Sequence, residues 1–123
     1  MTILKLKTIL IIEDDLDISF AVSSFLQGEG YQVQIAENGF VALELIKKNG
    51  VPNLVLLDMM MPVMNGWQFA TEFAAQFDNS SPIIVMTAAA DAEQRAKDIG
   101  ATGWIEKPFG FSKLIALIKK FES

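Results

Sequence analysis

The chain has 123 residues, ten basic against fifteen acidic, a formal charge of −5, no cysteine, no histidine and a single arginine, Arg95. That length suits one ordinary domain, and the acidic balance offers no basic stripe to follow a phosphate backbone, so direct nucleic-acid binding is not expected. The missing cysteine and histidine exclude disulfides, thiolate and imidazole metal sites, Cys nucleophiles, Ser-His-Asp triads and any phosphohistidine step within this polypeptide.

The elements follow in order. Lys7 and Thr8 lead into Ile9-Leu10-Ile11-Ile12, an unbroken apolar run that suits a strand buried on both faces. Glu13-Asp14-Asp15 ends it, and Ile18, Ala21, Val22, Phe25 and Leu26 then fall at helical spacing until Gly28 and Gly30. Tyr31-Gln32-Val33-Gln34-Ile35 alternates apolar and polar, which predicts a more exposed, edge strand. Asn38 is placed to cap a second helix carrying Val41, Ala42, Leu45 and Ile46, which ends near Gly50-Val51-Pro52.

Leu54-Val55-Leu56-Leu57 is the next buried run, and it stops on Asp58. A Met- and Pro-rich loop to Asn65-Gly66 precedes a third helix on Trp67, Phe69, Ala70, Phe73 and Phe77, then a turn over Asp78-Asn79-Ser80-Ser81-Pro82. Ile83-Ile84-Val85-Met86 closes on Thr87, and Asp91 to Ile99 predicts a short, weakly anchored helix with Ala92, Ala96 and Ile99 as its apolar stripe. Thr102 to Glu106 gives a last strand, followed by a helix with Leu114, Leu117, Ile118 and Phe121 on one face.

Five alternations of strand and helix, without linker or repeat, predict an α/β fold: a mostly parallel sheet with right-handed crossovers and helices on both faces. The expectation is a single domain over 1–123 with a structured core of about 7–121 and no output domain in this chain. No signal peptide is read at the N-terminus, and no apolar run approaches the roughly 20 residues that cross a bilayer, so a soluble, cytoplasmic protein away from membranes is expected.

In such folds ligands bind beyond the carboxyl ends of the strands. Here those ends carry Glu13-Asp14-Asp15, Asp58, Thr87 and Glu106-Lys107-Pro108. Converging carboxylates repel one another unless a cation or a raised pKa relieves them. An oxygen-only donor set favours a hard cation, Mg²⁺ first, and a lysine and a hydroxyl on the same rim suit transfer of a phosphoryl group to a carboxylate. Each part has a plainer explanation: acids crowd helix N-termini, threonines close turns, Lys-Pro makes a bend, and the methionines at 59, 60, 61 and 64 pack beneath their loop. Pro108 invites a cis bond that would aim Lys107 back across the rim.

Taken together, the acidic pair after an apolar strand, Asp58-Met59-Met60-Met61-Pro62-Val63-Met64-Asn65-Gly66, Thr87-Ala88 and Lys107-Pro108-Phe109 resemble the receiver domain of response regulators, of the chemotaxis-regulator kind. The long segment looks like that family's D-x-x-M-P-x-M-x-G, and the likeness covers the whole chain. It implies a flavodoxin-like (βα)5 fold with a five-stranded parallel sheet of order 2-1-3-4-5. It implies further that Asp58 accepts the phosphoryl group, Asp14 holds Mg²⁺ directly, Glu13 acts chiefly through a water, and the Met60 backbone carbonyl also binds the metal. Thr87 and Lys107 would bind phosphoryl oxygens, and Trp104, where the family more often has Tyr or Phe, would rotate inward with Thr87 as the switch.

The implied partners are a sensor histidine kinase or a histidine phosphotransfer protein as donor and a downstream effector or output domain as target. Homodimerisation through the last two crossovers is common among similar proteins, and the pattern here neither demands nor forbids it. Met60 and Ala89, two residues beyond Asp58 and Thr87, flank the path of the hydrolytic water in such domains, and neither can act as a base. Two rival readings stand: a phosphorylation-independent docking module of the same fold, and an aspartyl-phosphate phosphohydrolase, which the family pattern D-x-D disfavours because Met60 stands where the second acid would be. The chain is thus expected to catalyse its own modification without being a turnover enzyme.

Overall fold

The computed structural model describes residues 8–77, 81–88 and 91–121. Strand and helix alternate through them as β1 (Thr8–Ile12), α1 (Leu16–Gly28), β2 (Gln32–Ala36), α2 (Gly39–Asn49), β3 (Leu54–Asp58), α3 (Gly66–Phe77), β4 (Ile83–Thr87), α4 (Ala92–Asp98), β5 (Gly103–Glu106) and α5 (Phe111–Lys119). The sheet has the order β2-β1-β3-β4-β5 with every pairing parallel, as the resemblance implies. Lys7, Ala89 and the Asp78-Asn79-Ser80 part of the predicted turn lie outside the described residues.

Side chains alternate across a strand, so each apolar run feeds two cores at once. Ile9, Ile11, Leu54, Leu56, Ile84, Met86 and Ile105 pack with Val22 and Leu26 of α1 and Leu114 and Ile118 of α5. Leu10, Ile12, Val55, Leu57 and Val85 face the other way, onto Ala42, Leu43 and Ile46 of α2, Phe69 and Phe73 of α3, and Ala96 of α4. This is why β3 and β4 are buried at every position. Only edge strands can spare polar side chains: β2 is mostly half-buried, and β5 alternates buried with exposed.

Helix boundaries follow the local chemistry. Asp15 caps α1, its Oδ1 accepting from the amides of Asp17 at 3.0 Å and Ile18 at 3.3 Å. Asn38 caps α2 through the Val41 amide at 2.9 Å. The buried face of α1 differs from the apolar stripe in the sequence: Ala21 is exposed, while Ser19 and Ser23 are buried. The Ser19 hydroxyl donates to the Leu16 carbonyl at 3.2 Å, so a small polar residue buries there with its hydrogen bond made. The short helix α4 buries just Ala92 and Ala96, in keeping with the weak anchoring read from its composition.

Candidate functional site at the carboxyl edge of the sheet

All four neighbouring strands β1, β3, β4 and β5 deliver their last residues to one rim. Glu13 follows β1 and is tied to the sheet by its amide, which donates to the Ala36 carbonyl at 3.0 Å. Asp58 is the last residue of β3, paired in register with Met86. Thr87 closes β4 and is 2% exposed, and its carbonyl accepts from the Lys107 amide at 2.9 Å. Lys107 thereby returns across the rim, and its bond to Pro108 is cis, as the sequence invited.

These positions bring the acids together. Carboxylate oxygens of Glu13, Asp14 and Asp58 lie within 4.8 Å of one another, with Glu13 and Asp58 buried and Asp14 open to solvent. Lys107 Nζ sits 2.5 Å from Glu13 Oε1 and 3.7 Å from Asp58 Oδ2. The Met60 amide donates to Asp58 Oδ1 at 3.3 Å. Asp15, the third acid of the run, turns away to cap α1, so the run divides into a pair facing the rim and a cap.

One ammonium cannot balance three carboxylates. Burial pushes the Glu13 carboxyl up from 4.5 to about 7; the Lys107 ammonium opposes that shift, and the adjacent Asp58 carboxylate, by hydrogen bond and by charge, reinforces it. A site built only of hard oxygen donors, partly desolvated and short of positive charge, fits a divalent cation of the Mg²⁺ class. Among the described residues, Glu13, Asp14 and Asp58 are the carboxylates placed to hold it.

The loop after Asp58 departs from one sequence expectation. Met59 and Met61 are buried, but Met60 is 61% exposed and does not pack beneath the loop. A tight turn follows: the Met64 amide donates to the Pro62 carbonyl at 2.7 Å around Val63, whose φ of 68° lies in the left-handed region. Pro62 and Val63 of that turn are exposed as well, while Met61 between them and Met60 points into the core. Trp104, on the exposed side of β5, is 41% exposed.

Sequence reasoning placed Gly66 in the motif without a physical role and missed Gly39 as part of this site's framework. A Cβ on Gly66 would meet Met59 Cα at 2.8 Å, and one on Gly39 would meet Met64 Cγ at 2.8 Å. A glycine at the first position of each of two helices is the signal that could have found them.

Comparison with known proteins agrees with this geometry. The response regulator receiver domain family matches residues 9–119. The transcriptional regulatory protein CrdR of Helicobacter pylori is 37% identical over 117 residues, 94% of this chain and 54% of that protein. The chain spans about half the length of such curated relatives. Among solved structures, the chemotaxis protein CheY4 of Vibrio cholerae superposes with a TM-score of 0.85 at 31% identity, covering 95% of this chain and 99% of that one. The response regulator TrrA of Thermotoga maritima, solved in complex with Mg²⁺-BeF, gives a TM-score of 0.82 at 32% identity, covering 94% and 99%. With the sheet order, the rim of acids and these matches all in agreement, this chain belongs to the response regulator receiver domain family.

Proposed function

We propose that this chain is a phosphorylation switch of a two-component system, in which Asp58 takes a phosphoryl group from a phosphohistidine on a sensor kinase or phosphotransfer protein. The observation that carries this reading is the buried Asp58 carboxylate held beside Glu13, Asp14 and Lys107 at one rim. An Asp58 oxygen attacks phosphorus as the P–N bond breaks, and the imidazole of the donor leaves with the bonding pair. The Lys107 ammonium, shared at present between Glu13 and Asp58, neutralises one of the incoming phosphoryl oxygens, and the Thr87 hydroxyl donates to another.

Glu13, Asp14, Asp58 and the Met60 carbonyl would hold Mg²⁺, with Glu13 acting chiefly through a water, and the ion supplies charge neutralisation for the remaining oxygens. With the acyl phosphate formed, Thr87 is drawn toward it and Trp104 rotates inward, changing the face made by α4, β5 and α5 for a downstream effector, an output domain or a second copy of the chain. Met60 brings no second carboxyl, and neither it nor Ala89 is a base, so the chain is not a turnover phosphatase and no side chain specially accelerates loss of the phosphoryl group. A cytoplasmic location accords with a kinase-fed switch.

Intact mass after incubation with acetyl phosphate tests this. A single phosphoryl adduct is expected for the wild type with Mg²⁺ and for neither the Asp58→Asn variant nor the metal-free protein. An adduct persisting in Asp58→Asn would move the acceptor elsewhere, and no adduct on folded wild type would leave the fold as a docking module.

A further inference from the structure

The loop that joins Asp58 to α3 is held in an unusual shape. Its apex, Val63, is a β-branched residue at φ 68°, a conformation such side chains rarely adopt. Val63 is 79% exposed, so side-chain packing does not hold the apex, which is closed locally by the Met64 amide on the Pro62 carbonyl. Further restraint comes from the two shoulders. At one, the Gly66 amide donates to the Met59 carbonyl at 3.0 Å; at the other, the Gly39 amide donates to the Met64 carbonyl at 3.1 Å.

Gly39 is the first residue of α2, where an amide has no partner inside its own helix. It spends that donor on the loop. The approach is close enough that a Cβ there would lie 2.8 Å from Met64 Cγ, 3.0 Å from Met64 Sδ and 3.0 Å from the Met64 carbonyl oxygen. Asn38 fixes the position of this helix end independently, through its bond to the Val41 amide. The end of α2 is thus a fixed post, and the loop is hung from it.

We infer that Gly39 is a positioning residue for the acidic site: by seating the Met64 carbonyl against α2, it holds the left-handed turn at Val63 and so fixes where Met60 presents its backbone beside Asp58. The inference rests on the reading of this rim as an Mg²⁺ site. A methyl group at position 39 meets the Met64 side chain and crowds the Met64 carbonyl oxygen, which must give by a few tenths of an ångström, and that movement reaches Met60 through the Val63 turn against the hold of the Met60 amide on Asp58 Oδ1 and the buried Met61.

The test is a calorimetric titration of the unphosphorylated protein with MgCl₂, run beside thermal unfolding, for wild type, Gly39→Ala, Met64→Ala and the double variant Gly39→Ala/Met64→Ala. Gly39→Ala is expected to weaken Mg²⁺ binding about tenfold, the size that overpacking of one methyl group can produce. The double variant is expected to return to within about twofold of Met64→Ala alone, because removing Cγ and Sδ clears most of the clash. Equal Mg²⁺ affinity in wild type and Gly39→Ala, with only the melting temperature lowered, would overturn the inference and leave Gly39 a packing residue. Failure of the double variant to recover would overturn the route through Met64. If Gly39→Ala does not fold, the comparison of the double variant with Met64→Ala decides alone, with a loss of affinity between them counting against the inference. A folded wild type that binds no Mg²⁺ would overturn the reading of the rim itself, a result distinct from either of these.

Discussion

Lys107 Nζ lies 2.5 Å from Glu13 Oε1 but 3.7 Å from Asp58 Oδ2, so this rim ammonium is paired more closely with Glu13 than with Asp58. The pair is desolvated: the Glu13 side chain is 1% exposed and that of Lys107 15%. Removing one partner of such a pair strands the other's charge. Lys107→Ala is therefore expected to cost on the order of 3 kcal/mol at pH 8 in Mg²⁺-free buffer and markedly less at pH 5, where Glu13 takes up a proton instead. Urea unfolding at the two pH values checks this; an equal loss at both would mean that Lys107 acts by packing.

Glu13 itself makes stability fall as pH rises. Its carboxyl titrates near 7 in the folded protein against an ordinary 4.5, so the folded state holds the proton more tightly than the unfolded one. The stabilisation is full below about 4.5, is lost progressively as pH climbs, and is gone above about 7. A shift of that size corresponds to at most on the order of 3 kcal/mol. Wild type minus Glu13→Gln, measured from pH 4.5 to 8 by urea unfolding, isolates the slope from the other carboxylates. Mg²⁺ affinity is expected to run the opposite way, rising through the same window as the ion displaces the proton.

Asp58→Asn removes one of three converging charges. Besides losing the phosphoryl adduct, the variant is expected to be more stable than wild type by about 1 kcal/mol at pH 8 without Mg²⁺, and to lose that advantage when the ion is added. Denaturant midpoints with and without MgCl₂ decide it.

Val63 offers a change in stability away from the acids. Asn accepts the left-handed conformation far better than a β-branched residue, and an exposed valine forfeits little packing. Val63→Asn is expected to raise stability by about 1 kcal/mol in thermal unfolding. No gain would mean that the turn is unstrained.

The two tryptophans report on different places. Trp67 lies under Arg95, whose guanidinium carbon is 5.3 Å from the ring centroid, while Trp104 is 41% exposed on the edge strand. In a Trp67→Phe background, acetyl phosphate with Mg²⁺ is expected to move Trp104 emission to shorter wavelength as the indole leaves water. The same addition to Asp58→Asn in that background is expected to change nothing, and a shift there would disconnect the indole from Asp58.

Much of this architecture is legible in the sequence. Unbroken apolar runs at Ile9 to Ile12 and Leu54 to Leu57 can be satisfied only in a central parallel sheet, and the polar alternation from Tyr31 to Ile35 belongs at an edge. Where several such strands end in acids, a hydroxyl and a lysine, convergence on one rim is nearly forced. What periodicity could not convey was set by backbone course and by small residues. Met60 is apolar yet exposed in the loop that runs into the reversal at Val63, Ser19 is polar yet buried because its hydroxyl bonds its own helix, and the Gly39 contact joins residues that no local pattern connects.

The parallel order of the sheet has one more consequence. Glu13 and Lys107 lie at opposite ends of the sequence and meet only when β5 has docked beside β4. During synthesis, Asp58 emerges long before its lysine. The acidic rim therefore cannot gain its lysine by local folding of the first half, and the full set of Glu13, Asp14, Asp58 and Lys107 assembles only with the last strand.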